Sequence, residues 1–134
     1  MVIDTSALVG ILQQESDADG LLRRLASAGS RRISAATLLE TAIVLEARSG
    51  ERAGDDLDLF LARAKIEVEP VTDEQVRVAR TAWRRYGKGS GHAARLNFGD
   101  CFSYALAQSL GEELLYKGAD FAHTDVAHHA AGTP

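Results

Sequence analysis

Four acidic side chains stand in apolar or glycine-containing contexts where an ordinary surface carboxylate is not expected. They are Asp4 after the apolar residues 1–3, Glu40 inside a helical apolar stripe, Asp100 between Gly99 and Cys101, and Asp120 just past the apolar residues 114–116. Carboxylates brought together in apolar surroundings repel one another and lose hydration, so they must be protonated, hydrogen-bonded or neutralised by a cation. Hard oxygen ligands suit Mg²⁺ or Mn²⁺, and a water activated by such an ion favours hydrolysis of phosphodiesters.

Each acid also has an ordinary structural explanation when it is taken alone. Asp4 ends a strand and can help Ser6 to cap a helix, while Asp100 can complement a helix dipole. Asp120 fits a simple turn, but Glu40 is harder to explain because its neighbours one helical turn away are largely apolar. The four acids together favour function more strongly than any one of them does.

Short apolar runs alternate with longer helical patterns along the chain. Strands are predicted at residues 1–3, 32–34, 66–71 and 113–116. This alternation predicts an α/β fold with three α/β/α layers, in which helices cover both faces of a central parallel sheet of four to five strands. Sites in such sheets form beyond the carboxyl ends of the strands, where all four acids can meet.

Capping signals locate the helices that must position these acids. Ser6 is predicted to cap a helix that runs to about Gln14, and a long helix is predicted at residues 35–48. Residues 72–75 resemble a capping box, and Asn97 is predicted to cap the last major helix, which ends at Gly111. The residues expected to face inward on that helix are Phe98, Cys101, Phe102, Ala105 and Leu106.

Length and composition predict a single domain that spans residues 1–134, with a poorly ordered tail after about residue 126. The chain is 46% hydrophobic, and its net charge of −4 and pI near 5.5 argue against a protein that holds nucleic acid by bulk positive charge. Cys101 is the sole cysteine, which excludes an intrachain disulfide. We expect a cytoplasmic protein without a membrane segment, since no signal peptide or apolar span is evident.

Four segments, in order, resemble the PIN domain, and specifically the ribonuclease toxins of VapBC toxin–antitoxin pairs. The segments are residues 2–8, 34–40, 96–107 and 114–121, of which 96–107 is the most specific match. The resemblance implies that Asp4, Glu40, Asp100 and Asp120 form an acidic catalytic pocket for Mg²⁺ or Mn²⁺. It further implies an endoribonuclease that works as a homodimer and is inhibited by a cognate VapB-type antitoxin.

The resemblance also assigns individual roles within this pocket. Asp4 and Asp100 are the expected metal ligands, with Glu40 and Asp120 completing the site. Thr5, Ser6 and Asn97 would orient the carboxylates through hydrogen bonds. The fourth segment departs from many relatives at Tyr116 and Gly118, so Asp125 is a rival to Asp120.

A basic stretch predicts where RNA contacts an otherwise acidic protein. Residues 76–99 contain six basic and no acidic side chains before Asp100. An alternative interpretation is that these charges complement the C-terminal dipole of a helix. The predicted RNA contacts are Arg84, Arg85, Lys88 and Arg95, with Lys117 as a further phosphate contact.

Two other functions remain open at the level of sequence. A metal-dependent phosphatase or phosphotransfer domain would also use Asp4 after a first strand, but the haloacid-dehalogenase type expects a second aspartate where this chain has Ser6. A catalytically silent PIN-like interaction module is the other alternative, and retention of all four acids argues against it.

Overall fold

A parallel sheet of five strands organises the protein. The computed structural model describes residues 1–126 and 128–130. The strand order is β3-β2-β1-β4-β5, which confirms the predicted α/β sheet. The strands are β1 (Val2–Ile3), β2 (Arg32–Ser34), β3 (Glu67–Glu69), β4 (Leu114–Tyr116) and β5 (His128–Ala130).

Six α-helices and one short 3₁₀ helix connect the described strands. The α-helices are α1 (Thr5–Leu12), α2 (Ala18–Ser27), α3 (Ala35–Ser49), α4 (Glu51–Arg63), α5 (Asp73–Tyr86) and α6 (Phe98–Leu110). The 3₁₀ helix spans Phe121–His123, between β4 and β5.

Strand β1 lies at the centre of the sheet and carries Asp4 at its carboxyl end. Val2 is in register with Arg32 of β2 on one side and with Leu114 of β4 on the other. The chain builds the sheet outward through β2 and β3, then returns to the other side of β1 to add β4 and β5. The crevice between β1 and β4 is therefore the switch point where parallel sheets place their sites.

Alternating side chains of the strands divide the core into two apolar layers. Ile3, Ile33 and Leu115 are fully buried in a layer that also receives residues from α1, α2, α3 and α4. Val2, Leu114 and Tyr116 face the opposite layer, which receives residues from α5 and α6. Helices therefore cover both faces of the sheet, as the strand–helix alternation predicts.

The helix caps confirm several predictions and correct others. Thr72 accepts a hydrogen bond from the Gln75 amide, and Asn97 forms a full capping box with Asp100. The prediction that Ser6 caps α1 is wrong: Asp4 is the cap, because its carboxylate accepts the Ser6 amide at 3.0 Å. The inward orientation predicted for Phe98 is also wrong, since this side chain is 76% exposed in the first turn of α6.

The segment after residue 126, which was predicted to be a poorly ordered tail, contains strand β5, which was not predicted. Residues 127 and 131–134 of this segment lie outside the described residues. Within the part of the chain that the structure describes, no helix has the length and apolar character needed to cross a membrane.

Candidate active site

Asp4 is the buried centre of the acidic site. Its side chain is 3% exposed at the junction of β1 and α1. Ser103 Oγ donates to Asp4 Oδ1 at 2.6 Å, and Ser6 Oγ donates to Asp4 Oδ2 at the same distance. Ser6 Oγ in turn accepts the backbone N–H of Lys117, just after β4. Asp4 is therefore fixed by donors from both sides of the switch point. Its Oδ2 also accepts the backbone N–H of Ser6, so Oδ1 is the oxygen that keeps a further lone pair.

Asp100 shows the electrostatic signature of carboxylates held close together. It lies in the first turn of α6, where its Oδ2 accepts a hydrogen bond from the backbone N–H of Asn97 at 3.0 Å. Burial, reinforced by the negative charges of the three other acids, raises the pKa of the Asp100 carboxyl to about 7, against the lowering effect of the Asn97 hydrogen bond. The acids that raise it are Asp4, Asp120 and Glu40.

Glu40 enters the site from the second turn of α3. Thr5 Oγ1 donates to Glu40 Oε1 at 2.6 Å, and Thr41 Oγ1 lies 3.0 Å from Thr5 Oγ1. The other carboxylate oxygen of Glu40 faces Gly99 at the start of α6. Glu40 thus connects α3 to the two elements that carry Asp4 and Asp100.

The structure separates the two rivals for the fourth acid. Asp120 is exposed at the start of the 3₁₀ helix, and its charge acts on Asp100. Asp125 instead accepts hydrogen bonds from Tyr104 and Gln108, and it lies 3.5 Å from the Arg85 guanidinium. Burial, followed by this hydrogen bond from its hydroxyl to Asp125, raises the pKa of Tyr104 to about 12. Asp125 therefore belongs to a cluster that ties the C-terminal segment to α5 and α6.

Sequence reasoning assigned no role to three hydroxyl residues and one glycine that shape the site. Ser103 binds Asp4, and because its single hydrogen is used there, Thr37 is the donor in their 3.2 Å contact. Thr41 supports Thr5, and Gly99 makes room for Glu40. The available signal was helical spacing: Ser103 lies three residues after Asp100, and Thr37 three residues before Glu40.

The predicted RNA-contacting residues occupy different environments. Arg84, Lys88 and Arg95 are exposed, and Arg84 lines a groove of about 550 Å³ between α5 and α6, together with Trp83 and Phe98. Arg85 is paired with Asp125 and stacks over Tyr86. Lys117 is occupied by Glu15 and Asp17, at 2.9 and 3.2 Å, so its ammonium group is neutralised away from the acidic pocket.

The donor set fits a hydrated hard cation. Across residues 1–126, no basic side chain forms an ion pair with Asp4, Glu40, Asp100 or Asp120. In the same range, no three Asp, Glu, His or Cys side chains converge as a closed metal cluster. A closed cluster is not required for Mg²⁺, which keeps several waters and uses only one or two protein carboxylates. Uncompensated charge around Asp100 is therefore what a cation would relieve.

A protein-family model and known proteins match nearly the whole length of this chain. The family model described as "PIN domain" matches residues 1–127. A protein named "Ribonuclease VapC" from Mycolicibacterium smegmatis is 55% identical over 127 residues, covering 95% of this chain and 98% of its own length. "Ribonuclease VapC30" from Mycobacterium tuberculosis is 52% identical over 127 residues, covering 95% and 96% respectively.

Solved structures share the fold at low sequence identity. The VapC20 toxin of Mycobacterium tuberculosis, described as cleaving the sarcin–ricin loop, has a TM-score of 0.74 at 22% identity, over 94% of this chain and 95% of its own. The VapBC-1 structure from nontypeable Haemophilus influenzae has a TM-score of 0.75 at 15% identity, over 98% of both chains. The likeness thus extends over nearly all of the fold.

Proposed function

Because the chain belongs to the PIN-domain family, alongside VapC ribonucleases that are more than half identical to it, we propose that it is a metal-dependent endoribonuclease toxin. The observation that carries the proposal is the buried Asp4 carboxylate at the switch point, held by Ser6 and Ser103, with the Glu40 carboxylate against Gly99, next to Asp100. The raised pKa of Asp100, caused first by burial and then by the charges of Asp4, Asp120 and Glu40, supports it. Such grouping of like charges is typical of functional sites and would otherwise destabilise the fold.

The proposed roles follow from the hydrogen bonds at the site. Asp4 and Asp100 would hold Mg²⁺ or Mn²⁺, with Glu40 and Asp120 adding negative charge. When bound, the ion supplies an activated water and neutralises charge on the phosphoryl group. Ser103 and Ser6 orient Asp4 by donating to both of its oxygens, and Asn97 directs Asp100 through the capping box.

We assign the surrounding basic residues according to their availability. Arg84, Lys88 and Arg95 are exposed and are proposed to contact the RNA backbone. Lys117 is less suited to that role, because hydrogen bonding to Glu15, followed by Asp17, raises its pKa and holds its charge. We propose that the Lys117 side chain instead anchors the loop after β4 to the segment between α1 and α2.

The proposed partners are a VapB-type antitoxin and a second copy of the chain. Several similar structures are described as toxin–antitoxin complexes, including VapBC2 from Rickettsia felis and VapBC from Salmonella typhimurium. Exposed apolar residues on α3, α5 and α6 support a homodimer, because patches of this kind mark interaction sites. They are Leu39, Ile43, Val76, Trp83 and Phe98. A cytoplasmic location, where RNA is available, is part of the same proposal.

Cleavage of defined RNA separates this function from its alternatives. The purified protein should cut an RNA oligonucleotide with Mg²⁺ or Mn²⁺, lose that activity in chelator, and leave a small phosphomonoester intact. Asp4→Asn should lower the rate at least about 100-fold, because it removes a charge that no neighbouring group replaces. Hydrolysis of the phosphomonoester in preference to RNA would favour the phosphatase alternative, and metal-independent cleavage would contradict the proposed chemistry.

A further inference from the structure

Gly99 lies in the first turn of α6, against the Glu40 carboxylate of α3. A Cβ atom added at Gly99 would lie 2.6 Å from the Glu40 carboxyl carbon, and closer still to Oε2. Real Cβ contacts essentially never fall below 3.0 Å. Any side chain at this position would therefore drive the Glu40 carboxylate out of its present place.

Backbone conformation does not explain the glycine. Gly99 lies within α6, and its φ is not among the positive values that favour glycine at Gly50, Gly89, Gly91, Gly111 and Gly118. Alanine has the higher helix propensity, so the helix alone would be better served by it. The requirement at this position comes from the Glu40 carboxylate.

We propose that Gly99 is a positioning residue that sets where the Glu40 carboxylate stands beside Asp100. Thr5 holds one oxygen of Glu40 from α1, and the absence of a side chain at Gly99 admits the other. The inference rests on the proposed nuclease function, in which Glu40 completes the acidic pocket. Gly99 acts through Glu40 and needs no contact with RNA or metal.

A second glycine provides a matched control. Gly54 lies in α4, and a Cβ there would approach Glu46 Oε2 to 2.6 Å. The steric relation between glycine and glutamate is thus similar, but neither residue belongs to the acidic site. Gly54→Ala should displace Glu46 and leave RNA cleavage unchanged.

The kinetic test compares Gly99→Ala in two backgrounds. In the wild-type protein, Gly99→Ala should lower kcat by about 10- to 100-fold with little change in KM, since small misplacements of a catalytic group have effects of this size. In Glu40→Asp, which withdraws the carboxylate by one methylene group, the same substitution should change kcat by less than about twofold. A full-rate Gly99→Ala protein, or an equal loss in both backgrounds, would overturn the inference.

Thermal unfolding in chelator gives a reading that does not depend on activity. Gly99→Ala should raise Tm more in a Glu40→Ala background than in the wild-type protein, because the helix then gains alanine without displacing a carboxylate. Equal shifts in both backgrounds would refute a Gly99–Glu40 coupling. If wild-type protein cleaves no RNA, the proposed nuclease function fails, while this coupling still decides whether Gly99 positions Glu40.

Discussion

Asp100 illustrates how a site suited to a cation works against the stability of the cation-free protein. Its carboxyl has a pKa of about 7 in the folded state and an ordinary value of 3.8 in the unfolded chain. Well below pH 3.8 both states hold the proton, so this group has no effect on stability. Between pH 4 and pH 7 the Asp100 carboxyl is ionised in the unfolded chain but still largely protonated in the folded protein. The free energy of unfolding therefore falls as the pH rises.

We therefore expect Asp100→Asn to stabilise the metal-free protein while abolishing RNA cleavage. Asparagine retains an oxygen that can accept the Asn97 amide but carries no charge to oppose its acidic neighbours. The gain in free energy of unfolding should grow from near zero at pH 4 to about 1 to 2 kcal/mol above pH 7, after discounting for solvent screening. Urea unfolding in chelator across this pH range measures it, and a gain independent of pH would contradict the assignment.

Asp120 and Asp125 should differ in kind when each is replaced by asparagine. Asp120→Asn is expected to lower cleavage at least about 10-fold with little effect on Tm, because Asp120 is exposed and acts on Asp100 by charge. Asp125→Asn should lower stability by about 1 kcal/mol, because Tyr104 and Gln108 then lose a charged acceptor. Cleavage rates and melting curves of both variants suffice, and reversed effects would restore Asp125 as the fourth acid.

At the scale of elements, two helix caps of similar strength begin helices with different roles. Asn97 begins α6, which carries Asp100, whereas Thr72 begins α5, which carries none of the four acids. Asn97 accepts the Asp100 amide at 2.9 Å and Thr72 accepts the Gln75 amide at 3.2 Å. Replacing either with alanine should lower the free energy of unfolding by about 1 kcal/mol. Only Asn97→Ala should also reduce RNA cleavage. The Asp100 carboxylate keeps the backbone N–H at position 97, but the Asp100 backbone N–H loses the Asn97 side-chain acceptor that fixes the first turn of α6. A matching loss of activity in Thr72→Ala would mean that stability alone limits the assay.

Helix starts, the positions of β1 to β4 and the place of Asp4 were within reach of sequence reasoning, because each depends on local signals. Asn97 and Thr72 mark helix starts by residue type, and Asp4 follows an apolar strand. The bond between Ser103 and Asp4 spans 99 positions, and no local pattern encodes such a pairing. Periodicity likewise identified the inward face of α6. It did not indicate that Phe98, in the first turn of this helix, stays exposed, so the burial of Phe98 was predicted wrongly.

At the scale of the whole molecule, the exposed apolar residues predict that two copies associate. Phe98→Ser should shift the protein from dimer to monomer, because it removes the most exposed large apolar side chain from that surface. Leu22→Ser on α2 is the control, since Leu22 is 44% exposed on a helix that carries none of the residues of the proposed interface. Light scattering during size-exclusion chromatography distinguishes the two states. A monomeric wild-type protein, or a dimeric Phe98→Ser variant, would contradict the proposed interface.

The central position of β1 governs when the protein acquires its shape during synthesis. Strand β1 can be paired on both edges only after β4, which pairs with it at residues 114–115, has been synthesised. Contacts so distant along the chain make folding slow and leave a nascent polypeptide incomplete until late in translation. Asp120 emerges later still. The four acids can therefore come together only after residue 120 has been synthesised and β4 has paired with β1.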